Sequence, residues 1–273
     1  MSADPAGIRT MSAMRRAILL APLILGLTGG WSPVRAQAPA PKPTIVLVHA
    51  AFDRPASWDD VAARLRADGY PVVVPDNPLR SLAGDAAAIR QALDRIAGPI
   101  VLVGHSYGGN VVTNAALGDP QVRALVYVAA FAPDAGESLL QLGTHDVGSL
   151  IAVSLLTVPF LDADGLGVDM YVNPLLYRTV FAADVPSAKA QAMARNQHPI
   201  TLKAFTDPSG PPAWKTIPSW YLVARQDRAI PPATQRFMAR RAGSHTIETD
   251  SSHAAPVSRP GAVADVIRTA ADG

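Results

Sequence analysis

The sequence predicts an α/β protein: a mostly parallel, doubly wound sheet of about six strands with an inserted, mainly helical cap. Three observations carry this. Short, β-branched apolar runs alternate with stretches of helical period, the pattern of strands joined through crossover helices. The runs are continuously apolar, as in a sheet covered on both faces. The alternation breaks once, where about 85 residues hold Gly and Pro clusters and helical fragments but no clear strand. That is too long for a loop and reads as a cap over the strand ends.

The first residues stand apart from this pattern. Met14-Arg15-Arg16 precede an apolar run of about eleven residues, too short to span a bilayer, and small residues follow. Residues 1–36 therefore read as a signal peptide cut after Ala36, which places the protein in the periplasm or outside the cell. An uncleaved membrane anchor is the alternative. Arg15-Arg16 points weakly to twin-arginine export, and Met11 or Met14 is an alternative start. Residues 37–43 are an Ala- and Pro-rich tether, 44–131 and 219–273 the core, and 132–218 the cap.

The strands and helices then follow in order. Thr44–Val48 is a buried strand, introduced by Pro43. Residues 57–67 space Trp58, Val61, Ala62 and Leu65 along one helix face, with Ser57 as the cap and Gly69 at the end. Tyr70–Val74 is a strand closed by Pro75. Residues 81–97 form a helix capped by Ser81. Ile100–Val103 and Ala124–Ala129 are strands flanking a helix over 107–118. Ser219–Ala224 and Ser244–Thr249 are the last strands, with helices near 232–242 and 260–271.

Composition excludes several functions. The chain has 273 residues, 49% of them hydrophobic, and no cysteine. A disulfide scaffold, a Cys-ligated metal and a Cys nucleophile are therefore ruled out. Removing the leader's four arginines and one aspartate takes the net charge from +2 to −1. No basic patch remains to hold nucleic acid, and no stable membrane span is expected after cleavage.

The chemical signal is Gly104-His105-Ser106-Tyr107-Gly108. It lies between a buried strand and a helix, as a nucleophile elbow requires. The sharp turn strains Ser106, and Gly104 and Gly108 remove Cβ atoms that would clash there. A serine hydroxyl needs a base. His253 follows the last strand in Asp250-Ser251-Ser252-His253 and hangs over the same sheet edge. His105 lies inside the elbow and points away, and His49 holds its own loop by hydrogen bonds. His145 and His198 fall in the cap, where they are candidates for substrate contact.

A carboxylate must orient the histidine. Asp227 follows the fifth strand and gives the chain order Ser106, Asp227, His253. Asp134 competes for this role, and Arg225 and Arg228 could instead hold Asp227 in a surface ion pair. The oxyanion needs two N–H donors. Tyr107, after the nucleophile, supplies one, and Ala51, in the loop after the first strand, the other.

Taken together, Val46-Leu47-Val48-His49-Ala50-Ala51-Phe52 with Ser57-Trp58, Gly104-His105-Ser106-Tyr107-Gly108-Gly109, Asp227-Arg228-x-Ile230-Pro231 and Ser252-His253 resemble the α/β-hydrolase superfamily. The chain is most similar to its compact serine esterase branch, alongside plant methyl esterases and hydroxynitrile lyases. The resemblance covers about residues 44–271 and is weakest over the cap. It implies a Ser-Asp-His triad, hydrolysis of a small-molecule carboxylic ester, and no cofactor. Ala50 stands where many members have glycine. A serine at the elbow, rather than aspartate, argues against epoxide hydrolase and haloalkane dehalogenase chemistry. The rival readings are a hydroxynitrile lyase, drawing a cation from Lys189, Lys203 or Lys215, a cofactor-free perhydrolase, and a non-catalytic binding protein. Phe160, Leu161, Met170, Tyr171, Leu175, Tyr177, Phe181 and Trp214 in the cap fit a small-to-medium apolar substrate.

Overall fold

The computed structural model describes residues 41–163 and 165–273. The signal-peptide reading of 1–36 and most of the tether lie outside the described residues. The main sheet comprises β1 (Thr44–Val48), β2 (Val72–Val73), β3 (Ile100–His105), β4 (Val122–Val128), β8 (Ser219–Ala224) and β9 (His245–Thr249). Its order is β2-β1-β3-β4-β8-β9, and every pairing is parallel. The order reverses beside β1, so the sheet is doubly wound and carries helices on both faces.

Side chains of a strand alternate between faces, and the two cores sort accordingly. Ile45, Leu47, Val101, Val103 and Val126 pack with Trp58, Val61, Leu65, Val263 and Ile267. These last come from the turn Pro55–Trp58, α1 (Asp59–Ala67) and α11 (Pro260–Asp272). Val46, Val48, Leu102, Leu125 and Tyr127 face Ile89, Leu93, Val111, Val112 and Met238. Those lie on α2 (Leu82–Leu93), α3 (Tyr107–Ala115) and α9 (Pro232–Arg241). The short helix α10 (Ala255–Ser258) leads into α11. Both faces being covered is why these strands read as continuous apolar runs.

Two local expectations change. Ser57 is not the cap of α1; it lies in the preceding 3-10 turn and its hydroxyl donates to Arg54 O at 2.9 Å. Pro55 opens that turn early, and α1 starts at Asp59 with two acids in its first turn. The strand expected over Tyr70–Val74 shrinks to Val72–Val73, an edge strand bonded to β1 alone. Ser81 does cap α2, accepting from Gly84 N at 3.2 Å.

The insertion between β4 and β8 holds α4 (Leu139–Gly143), α5 (Ile151–Ser154), α6 (Pro174–Val180), α7 (Ser187–Arg195) and α8 (Leu202–Thr206). It also holds strands, which the sequence did not reveal. β5 (Leu155–Asp162) and β6 (Gly165–Val172) form an antiparallel hairpin, and β7 (Ile200–Thr201) extends it. The reason is burial. Most of β5 is exposed, including Thr157, Val158 and Pro159 in sequence, so no inside face imposes a period of two.

Candidate active site

Ser106 sits between β3 and α3 at φ +53°, ψ −120°, a left-handed backbone uncommon for any residue but glycine. The surroundings fix it there. Phe131 N and Gly109 N both donate to Ser106 O, at 3.1 and 3.0 Å. A Cβ on Gly104 would lie 2.5 Å from Gly108 O, and one on Gly108 would lie 2.5 Å from Val48 O. Only glycine lets the elbow close against its own helix and against the end of β1. Tyr107 opens α3, so its amide has no acceptor within the helix.

His253 and Asp227 meet in the interior. His253 Nδ1 donates to Asp227 Oδ2 at 2.7 Å, with both side chains at most 1% exposed. Asp227 is saturated by further donors: Ala229 N at 2.7 Å, Ile230 N at 2.9 Å and Gln235 Nε2 at 2.8 Å. A carboxylate that takes the Nδ1 proton leaves Nε2 as the ring's lone pair. Ser106 and His253 line one cavity of about 30 Å³, without a hydrogen bond between them. Ala51 and Tyr107 line it too.

The remaining candidates separate cleanly. Asp134 pairs with Lys215 at 2.6 Å, and Arg225 pairs with Asp250 at 2.8 Å rather than with Asp227. His105 Nε2 donates to His253 O at 2.8 Å and so braces the histidine loop from beneath. Burial, reinforced by the neighbouring His253, drives its ring well below the usual histidine range, so it stays neutral. His49 Nδ1 lies 2.8 Å from Ala50 O, and Asn77 N donates to its Nε2 at 3.3 Å. Burial holds His49 down to about 4. His145 stacks on Phe237 and pairs with Asp146, away from the cavity. His198 lies beside His49, also outside the cavity lining. Ala50 has no positive φ, so glycine is not required there; the turn is taken at Phe52, φ +61°.

Sequence reasoning missed several participants. Gln235 bridges Asp227 and Ala224 N; a buried amide on an otherwise core-facing helix stripe was the available signal. Asp53 is a buried carboxyl beside the oxyanion loop, bonded by Arg54 N at 2.9 Å through Oδ1. Burial raises it to about 6. Of the eight apolar cap residues singled out, Phe181 alone lines the cavity, edge-on to His253 with centroids 4.7 Å apart. The other apolar walls come from Phe131, Leu139, Ile151, Phe205 and Ile230.

The family model described as the alpha/beta hydrolase family matches residues 45–266. The chain belongs to the alpha/beta hydrolase family. Among its relatives, the pyrethroid hydrolase of Sphingobium wenxiniae is 30% identical over 249 residues, covering 84% of this chain and 87% of that protein. The alpha/beta hydrolase nvfD of Aspergillus novofumigatus is 29% identical over 253 residues, covering 84% and 97%. The structure of polyneuridine aldehyde esterase superimposes with a TM-score of 0.73 at 15% identity, over 84% of this chain and 98% of that one. The α/β-hydrolase fold expected from the sequence is therefore the fold observed. The protein is a hydrolase of the carboxylesterase type. Among the described residues, no helix is long and apolar enough to cross a membrane.

Proposed function

We propose that Ser106, His253 and Asp227 act as nucleophile, base and orienting acid in the hydrolysis of a small-to-medium carboxylic ester. The observation that carries this is the buried 2.7 Å bond from His253 Nδ1 to Asp227, on a cavity that Ser106 also lines. The steps follow from that geometry. The Ser106 hydroxyl gives its proton to His253 Nε2 as Oγ attacks the ester carbonyl. The Ala51 and Tyr107 amides hold the oxyanion. The carbonyl reforms, the alcohol leaves with the Nε2 proton, and an acyl group stays on Ser106. Water, deprotonated by Nε2, then attacks the acyl carbon and frees the acid and the serine. The serine–histidine contact is expected to tighten when substrate is bound.

The cavity lining is apolar, and the relationship to a pyrethroid hydrolase supports neutral apolar esters as the first compounds to screen. The cap lysines lend no support to the lyase reading. Lys189, Lys203 and Lys215 pair with Asp60, Asp207 and Asp134, and none lines the cavity. Purified Ser106→Ala is expected to lose about a millionfold in turnover of p-nitrophenyl acetate. Wild-type turnover in that variant would end the proposal. Residues 1–36 are proposed as a cleaved export signal that delivers the enzyme to the periplasm or medium.

A further inference from the structure

Two cavities, one between core and cap and one within the cap segments, share three lining residues. The inner one, about 30 Å³, is lined by Ser106 and His253; the outer one, about 310 Å³, is lined by Leu140, Val147 and Ala152 among others. Gly143, Ile151 and Phe205 line both. Each comes from a different helix: the end of α4, the start of α5 and the body of α8. The two therefore meet at these three residues, and Gly143 contributes no side chain to the partition. A Cβ added there would meet nothing within 4 Å.

The segment roofing the outer cavity is anchored at its end and exposed in the middle. Leu150 N donates to Arg228 O at 2.8 Å, and Ser149 Oγ donates to Ala229 O at 2.7 Å. These carbonyls belong to the loop that carries Asp227. Val147, three residues before Leu150, is 98% exposed. The charged side chain on the outer lining is Asp146, which His145 and Thr234 contact at 2.9 Å each. An apolar wall with an acid on its rim suits a neutral chain and opposes a carboxylate.

We propose that Gly143, Ile151 and Phe205 form a gate between a short inner pocket and an outer channel, so that the preferred substrates are elongated, neutral esters whose longer arm crosses it. This rests on the ester reading of Ser106. The missing side chain at position 143 is the opening, and Phe205 sets its width.

The test measures kcat/KM for p-nitrophenyl acetate through p-nitrophenyl decanoate, and for a matched series of alkyl acetates that lengthens the alcohol. Gly143→Leu adds a side chain at the end of α4, where a Cβ would meet nothing within 4 Å, and its Tm is measured beside wild type so that a folding defect is told apart from a blocked gate. The variant is expected to lower the ratio of kcat/KM on the longest ester to that on acetate by roughly tenfold or more in one of the two series. Phe205→Ala is expected to shift the long-to-short ratio the opposite way by roughly tenfold. Equal losses on short and long esters in Gly143→Leu, or unchanged ratios in both series, would overturn the gate while leaving the ester reading intact. A wild type inert on every ester would overturn both.

Discussion

Replacing Asp53 by asparagine should make the protein more stable at alkaline pH and less stable at acid pH. Asp53 is 7% exposed, and its Oδ2 has no hydrogen-bond partner. Burial raises the carboxyl from its ordinary 3.8 to about 6, against the opposing pull of the Arg54 amide. The folded state therefore binds the proton more tightly than the unfolded state. Stability contributed by this group is complete below about 3.8 and is lost as pH rises through about 6. A shift of about two units amounts to roughly 3 kcal/mol lost at pH 8. Asparagine carries no charge and so removes that loss. It also places an amide nitrogen where no acceptor waits, a pH-independent cost of roughly 1–2 kcal/mol. Asp53→Asn should therefore gain about 1–2 kcal/mol at pH 8 and lose about as much at pH 4. His49 runs the other way. Held down to about 4, it loses stability as pH falls from 6.5, so in wild type the two trends oppose each other. In Asp53→Asn that opposing trend is gone, and His49 and His105, both held below their ordinary range by burial, should make stability climb more steeply from pH 4 to 6.5 than in wild type. Urea unfolding followed by circular dichroism across pH 4–8 reads this directly. Parallel pH curves for variant and wild type would refute the reasoning.

Gly108→Ala places a Cβ 2.5 Å from Val48 O, a backbone atom that cannot swing away, and should cost more than about 3 kcal/mol or abolish soluble expression. Soluble protein of wild-type Tm would contradict the close approach. Gln235→Met removes one donor from Asp227 while keeping the side-chain volume. It should lower kcat/KM by roughly ten- to a hundredfold, with a smaller effect on KM than on kcat, measured on p-nitrophenyl acetate. N-terminal sequencing of exported protein should begin at Gln37; an intact leader would remove the export proposal.

The main sheet was legible because its information is local. A strand buried on both faces must be apolar at every position, and Ile100–Val103 or Ser219–Ala224 shows this within a few residues. The elbow was legible for the same reason. Gly104 and Gly108 are there because a Cβ on either would lie 2.5 Å from backbone atoms of Gly108 and Gly109 or of Val48, a constraint on backbone that leaves its mark in residue identity. The cap hairpin left no such mark, since β5 is exposed and no face had to be apolar. Of the cavity walls, Ala51, Tyr107 and Phe181 were legible and the rest were not. Leu139, Ile151 and Phe205 look like any apolar residue of a short helix, and their meeting at Ser106 depends on how α4, α5 and α8 pack over the strand ends. The same holds for Asp53 and Gln235, whose importance comes from being buried. Sequence alone located the strained turn that holds Ser106, because strain is written in neighbours. Tertiary structure decided what that serine can reach, because a cavity is bounded by segments that share no local rule.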